Sequence, residues 1–137
     1  MAEVIVALDY TTGKEALGLV DVLGSAGDFY KVGLELFSRE GPEVVKALTK
    51  RDKRVFLDLK LHDIPNTVAR SVSAARELGV DFLTVHTTGG VPMMAAAVEA
   101  AGGALTLLGV TVLTSMSVPD VEAAWGRELG SLRDEVL

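Results

Sequence analysis

The chain has 137 residues, 49% hydrophobic and 23% charged, which suits one globular domain with a real core. It has no cysteine and only two histidines, which leaves no disulfide framework, no thiolate nucleophile and little for a His-rich metal site. The 13 basic against 19 acidic residues, a net charge of −6, disfavour general nucleic-acid binding but leave room for one small anionic substrate held by local cations.

No apolar run approaches the roughly 20 residues that cross a bilayer, and Met1-Ala2-Glu3-Val4 carries no basic patch or cleavage motif. A cytoplasmic protein without membrane contact is expected. Short runs rich in Val, Leu, Phe and Thr alternate with stretches of helical period about every 25 residues, a βα repetition. The predicted order begins with a strand Val4–Asp9, a helix Gly13–Leu23, a strand Phe29–Leu36 and a helix Pro42–Lys50. A strand Val55–Leu61, a helix Pro65–Leu78, a strand Phe82–His86 and a helix Pro92–Ala101 follow. The series closes with a strand Leu105–Thr114, a helix from Pro119 to about Leu129 and the opening of more helix over Ser131–Leu137. The strands are nearly continuous apolar runs, as expected of parallel strands covered on both faces. Gly24 and Gly79 suit left-handed C-caps, and Pro42, Pro65 and Pro92 sit near helix starts, where a missing N–H costs nothing. The only tryptophan, Trp125, reads as packing. No linker or low-complexity tract interrupts the pattern, so a single domain over residues 1–137 is expected. The first βα turn, Asp9-Tyr10-Thr11-Thr12-Gly13, has no G-x-G-x-x-G. That weakens an open doubly wound α/β sheet and favours part of a (β/α)8 barrel.

In parallel βα folds the reactive groups stand at the C-terminal ends of the strands. Each predicted strand carries polar residues there or beside it: Asp9, Lys31, Asp58 with Lys60, His86, and Thr114 with Ser115. For Asp9 or Thr114 alone, a solvated strand tip is explanation enough. In Val55-Phe56-Leu57-Asp58-Leu59-Lys60-Leu61, however, period-two alternation puts Phe56, Asp58 and Lys60 on one face. A carboxylate and an ammonium then project together from an otherwise buried strand. An internal salt bridge with no other role would satisfy them. Against that, Lys31 adds a second cation and Asp63 a second anion, and four alternating charges in a confined site shift one another's protonation. His62 reads as a loop residue, and His86 is better placed to touch a ligand. Residue types alone would allow a metal on Asp58, Asp63 and His86, but Lys60 and Lys31 would compete for those carboxylates.

The run Asp58-Leu59-Lys60-Leu61-His62-Asp63-Ile64-Pro65-Asn66-Thr67-Val68 resembles the signature of the orotidine 5′-phosphate decarboxylase family, Asp-x-Lys-x-x-Asp-Ile-Pro-Asn-Thr. Val6-Ala7-Leu8-Asp9, Lys31-Val32-Gly33-Leu34-Glu35, Thr84-Val85-His86 and Val110-Thr111-Val112-Leu113-Thr114-Ser115 resemble its first, second, fourth and fifth strands. The shorter Asp-x-Lys-x-x-Asp is shared with related sugar-phosphate decarboxylases and aldolases, and the Ile-Pro-Asn-Thr continuation sharpens the match. The resemblance implies a (β/α)8 TIM barrel and cofactor-free conversion of orotidine 5′-monophosphate to uridine 5′-monophosphate in pyrimidine biosynthesis. It implies that Lys31, Asp58, Lys60 and Asp63 form the charged network, with Lys60 protonating C6 and Asp58 against the departing carboxylate. Asp9 and Lys31 would bind ribose hydroxyls and Thr114 or Ser115 the base, while His86 is expected to touch the substrate from its place at a strand end rather than from the resemblance. Asp63, Ile64 and Thr67 would reach into the partner's site of a homodimer.

The chain supplies about the first five of the family's eight βα units, an architecture that usually needs about 250 residues. The phosphate grip of such barrels lies after strands seven and eight, and neither Arg127 nor Arg133 stands at such a place. The length therefore fits a fragment of a full enzyme, the expectation favoured here, or a partial barrel that closes on another chain, or an inactive scaffold. A metal-dependent sugar-phosphate decarboxylase or aldolase is the enzymatic alternative.

Overall fold

The structure is a computed structural model and describes residues 3–136. Its sheet has five parallel strands, β1 (Val6–Ala7), β2 (Phe29–Gly33), β3 (Arg54–Leu61), β4 (Phe82–His86) and β5 (Thr106–Val110), in the sequential order β1-β2-β3-β4-β5. A doubly wound sheet reverses its order at a switch point, whereas a barrel adds each strand beside the last. The observed order is that of the barrel.

Seven helices accompany the strands among the described residues: α1 (Gly13–Leu23), α2 (Leu34–Glu40), α3 (Pro42–Thr49), α4 (Pro65–Glu77), α5 (Gly90–Ala101), α6 (Val118–Trp125) and α7 (Leu132–Val136). Local chemistry sets their ends. The Thr12 hydroxyl accepts from the Glu15 N–H at 3.3 Å and starts α1, while Pro65 occupies the first turn of α4, where no N–H is missed. Ser117 and Asp120 form a capping box at the start of α6, the Ser117 N–H donating to Asp120 at 2.8 Å. Gly41, at φ +63°, ends α2 and lets Pro42 open α3 at once.

Three predicted strands depart most from expectation, and the helix predicted to about Leu129 ends at Trp125, capped by Gly126. The predicted strand Phe29–Leu36 stops at Gly33, and Leu34–Glu40 is helical. Leu36 is buried and Leu34 exposed, and a Glu35–Arg39 ion pair spans one helical turn. The predicted strand Leu105–Thr114 ends at Val110, because its neighbour among the described strands, β4, ends at His86, which pairs with Val110. Thr114 and Ser115 therefore lie in a turn beyond the sheet. The first strand shrinks from Val4–Asp9 to Val6–Ala7, an edge with one partner, although the Leu8 N–H still donates to the Lys31 carbonyl at 2.9 Å.

The core lies between the helices and the outer face of the sheet. Tyr30, Val32, Val55, Leu57, Leu83 and Val85 bury there against α1, α3, α4 and α5. Tyr30 is buried completely, and its hydroxyl donates to the Gly27 carbonyl at 3.0 Å. The opposite face carries an aromatic floor. Phe82 meets Phe29 and Phe56 edge-on at 5.3 and 6.1 Å, and the Arg54 guanidinium lies 4.1 Å over Phe29. On that face, toward the C-terminal ends of the strands, the side chains become polar. Trp125 is half-buried, with the Arg127 guanidinium 5.4 Å from its ring.

Candidate active site

β3 is the irregular member of the sheet, and the site is built on its irregularity. Its register with β4 runs Phe56↔Phe82 and Leu57↔Leu83, then jumps to Leu61↔Val85. Asp58, Leu59 and Lys60 thus stand where the partner strand supplies only Thr84, a bulge of the kind that re-aims side chains. Lys60 takes φ +51° within it. A left-handed backbone costs a non-glycine residue about 1–2 kcal/mol, so surrounding contacts must hold it. Among the described residues the other non-glycine with positive φ is Asp52, in the exposed turn after α3, where an aspartate tolerates it easily.

Two ion pairs converge on this region. Lys60 Nζ donates to both oxygens of Asp58, at 2.8 and 2.9 Å, and the Asp58 side chain is 16% exposed. Lys31 Nζ donates to Asp9 Oδ1 at 3.0 Å in a more open setting. The Thr84 hydroxyl completes the first pair, donating to Asp58 Oδ1 at 2.9 Å while accepting from the Lys60 N–H at 2.8 Å. Burial alone would raise the Asp58 pKa. The hydrogen bonds from Lys60 and Thr84, with the charges of Lys60 and Lys31, outweigh it and hold this carboxyl below the usual aspartate value.

Asp58 and Lys60 separate two cavities. One, of ≈ 300 Å³, is bounded by Asp9, Tyr10, Lys31 and Glu35. The other, of ≈ 380 Å³, is bounded by Phe56, Thr84, Val112, Thr114 and Ser115. Both sizes suit part of a small-molecule site, and the charged pair is exposed to both.

The predicted residues divide accordingly. Lys31, Asp58, Lys60 and Asp9 gather around the first cavity, and Thr114 and Ser115 reach the second from their turn. Of the four charges expected to cluster, three come together, Asp58 with Lys60 and Lys31, which pairs with Asp9, beside them. Asp63 is exposed and meets neither lysine; its Oδ1 accepts from the Ile64 N–H at 2.7 Å, because the chain turns outward there to start α4. Ile64 and Thr67 are exposed beside it. His86 lines neither cavity. Its ring tilts against that of His62, 5.4 Å away, where β4 passes directly into a tight turn over Thr87–Gly89. Burial, then the nearby His62 and Lys60, holds His86 below the usual imidazole pKa. The alternative metal set of Asp58, Asp63 and His86 finds no such grouping among the described residues. Thr84 is the site residue that reading the sequence missed. Its one signal was a hydroxyl in the middle of an apolar strand run.

A sequence model of the orotidine 5′-phosphate decarboxylase / HUMPS family matches residues 2–134. A relative from Sodalis glossinidius named orotidine 5′-phosphate decarboxylase is 51% identical over 122 residues, which cover 86% of this chain and 48% of that one. One of the same name from Shewanella sediminis is 50% identical over 123 residues, covering 87% and 53%. The crystal structure of orotidine 5′-phosphate decarboxylase from Lactobacillus acidophilus superposes with a TM-score of 0.89 at 38% identity, covering 99% of this chain and 64% of that one. An uncharacterized conserved protein from Geobacillus kaustophilus gives 0.83 at 38% identity, covering 91% and 62%. The chain thus spans about half the length of the curated relatives it matches.

Proposed function

This chain belongs to the orotidine 5′-phosphate decarboxylase / HUMPS family, with five βα units of the (β/α)8-barrel type, and on that premise we propose that it carries the proton-transfer site for decarboxylating orotidine 5′-monophosphate. The observation that carries the reading is the Asp58–Lys60 pair, an ionised carboxylate locked to an ammonium between two ligand-sized cavities. In the proposed step the bond from C6 to the carboxylate breaks, carbon dioxide leaves and the electron pair stays on C6. Lys60 Nζ then gives a proton to C6 and is reprotonated by solvent. A fixed ammonium stabilises the developing carbanion before it delivers the proton, and that preorganisation is the main electrostatic contribution. Asp58 faces the substrate carboxylate, and their repulsion is relieved as the carboxylate departs and negative charge moves onto the ring. Lys31 and Asp9 offer a donor and an acceptor for ribose hydroxyls, and Thr114 or Ser115 contacts the base. Asp58 has both oxygens on Lys60 and one also on Thr84, which suits chemistry run by the lysine itself.

The same reading includes a cytoplasmic homodimer in which Asp63, Ile64 and Thr67 enter the partner's site. Their exposure supports it, Ile64 above all, since it presents an apolar side chain to solvent at 66% exposure. The test is the loss of orotidine 5′-monophosphate absorbance with the wild-type chain and with Lys60→Ala. Turnover that depends on Lys60 and survives a chelator supports the proposal. Activity on a 3-keto sugar phosphate with none on the nucleotide overturns it.

A further inference from the structure

Apart from the tyrosine Tyr30, Thr84 is the one buried polar residue among the described residues, at 5% exposure. A buried hydroxyl must find partners, and the usual solution on a strand is a nearby backbone carbonyl. Thr84 bonds across to β3 instead, and its two partners are the two halves of the catalytic pair. It accepts from the backbone N–H of Lys60 and donates to Asp58 Oδ1. A hydroxyl has one proton and two lone pairs, so this arrangement uses the proton on the carboxylate and leaves a lone pair for the amide.

The register jump explains why a hydroxyl is needed there. Between Leu57↔Leu83 and Leu61↔Val85 the bulge takes Lys60 out of the regular ladder. Its N–H would be an orphan beside a buried strand, on a residue already in the left-handed region. Thr84 is the group that satisfies it.

We propose that Thr84 is a positioning residue for the reaction: its single hydroxyl orients the Asp58 carboxylate and pins the left-handed backbone that aims the Lys60 ammonium. The catalytic consequence rests on the function proposed above, while the geometric part stands without it. Thr84→Val keeps the branched shape suited to a strand and deletes the hydroxyl. The Lys60 N–H then has no partner, and Asp58 keeps Lys60 and the more distant charge of Lys31 as the only groups favouring its ionised form. Thr84→Ser keeps the hydroxyl.

The test is nuclear magnetic resonance on wild type, Thr84→Val and Thr84→Ser, reading amide hydrogen exchange at Lys60 and the carboxyl titration of Asp58. Protection of the Lys60 amide is expected in wild type and in Thr84→Ser, with exchange about tenfold faster in Thr84→Val. The Asp58 carboxyl should titrate at higher pH in Thr84→Val than in the other two. On the nucleotide, kcat should fall about tenfold in Thr84→Val, with KM within about twofold, and recover in Thr84→Ser. A wild-type Lys60 amide that exchanges like an open loop overturns the proposal before any variant is made. Unchanged exchange and titration in Thr84→Val, or failure of Thr84→Ser to restore them, also overturns it. The expected exchange and titration in a wild type that shows no decarboxylation sinks the functional reading and leaves the positioning role of Thr84 standing.

Discussion

Replacing Lys60 by alanine separates what the ammonium does for the fold from what it does for the chemistry. Its Nζ lies 2.8 and 2.9 Å from the two oxygens of Asp58, whose side chain is 16% exposed against 38% for Lys60. Deleting one partner of a fully buried pair costs about 3–5 kcal/mol, and an exposed pair contributes about 0–1 kcal/mol. Water can take much of the place Lys60 vacates, and the Thr84 hydroxyl stays on Oδ1. The expected loss is therefore intermediate, about 1–2 kcal/mol at pH 7. Backbone strain at position 60 does not enter the difference, because lysine and alanine both carry a Cβ. The pH dependence identifies the source. The folded state holds Asp58 below the usual carboxylate value. Its pairing thus stabilises the fold fully above the unfolded pKa of about 3.9, and the contribution drains away as pH falls through the lower folded value. In Lys60→Ala the strongest lowering contact is gone and burial pushes the other way. The stability gap between wild type and variant should be widest near pH 7 and close at a pH below both folded values of Asp58. Urea melts at several pH values, with m-values compared, measure it. A gap of the same size at acid and neutral pH refutes the pair as its origin. A folded Lys60→Ala that still decarboxylates the nucleotide refutes the chemical role.

Two further outcomes follow from contacts elsewhere. Substituting His62→Gln removes the charge that helps depress His86, so the His86 midpoint, followed by its ring resonances, should rise but stay below the usual value, because burial remains the larger cause. Because the folded His86 is depressed, its contribution to stability is present above the unfolded value of about 6.5 and is lost as pH falls through the folded one. At Gly27 an added Cβ would lie 2.4 Å from the hydroxyl of the buried Tyr30. Gly27→Ala should therefore lower stability by about 1–3 kcal/mol in a thermal melt, as a rigid ring is displaced.

The elements that sequence periodicity located well are those whose limits are set locally. Helix α1 has Thr12 before it and Gly24 after it, and both signals are visible in the chain itself. Strand β4 is a short apolar run between Asp81 and a tight turn. The misplaced limits depend on neighbours in space. Nothing in Val110-Thr111-Val112-Leu113-Thr114 says that a strand should stop, since the stop comes from β4 running out beside it. At Leu34 the apolar run continues, but its period changes from two to that of a helix, with Glu35 and Arg39 four residues apart as the only sequence sign.

The candidate site shows a subtler gap between pattern and structure. Period-two alternation brings Asp58 and Lys60 to one face, and the two side chains do meet. They meet by another route, because a regular strand would not leave three residues opposite Thr84 or put Lys60 at φ +51°. In a regular strand the ammonium's aim would depend on rotamers of a long, flexible side chain, which lose entropy when fixed. The bulge moves part of that aim into the backbone, where Thr84 holds it with one hydrogen bond, while the Asp58 carboxylate holds the Nζ with two more. Alternation can predict which residues share a face, but it has no means of predicting a bulge, whose freed Lys60 N–H is satisfied by a hydroxyl 24 residues away. The residues that carry the proposed chemistry were therefore legible in the sequence, and the device that orients them was not.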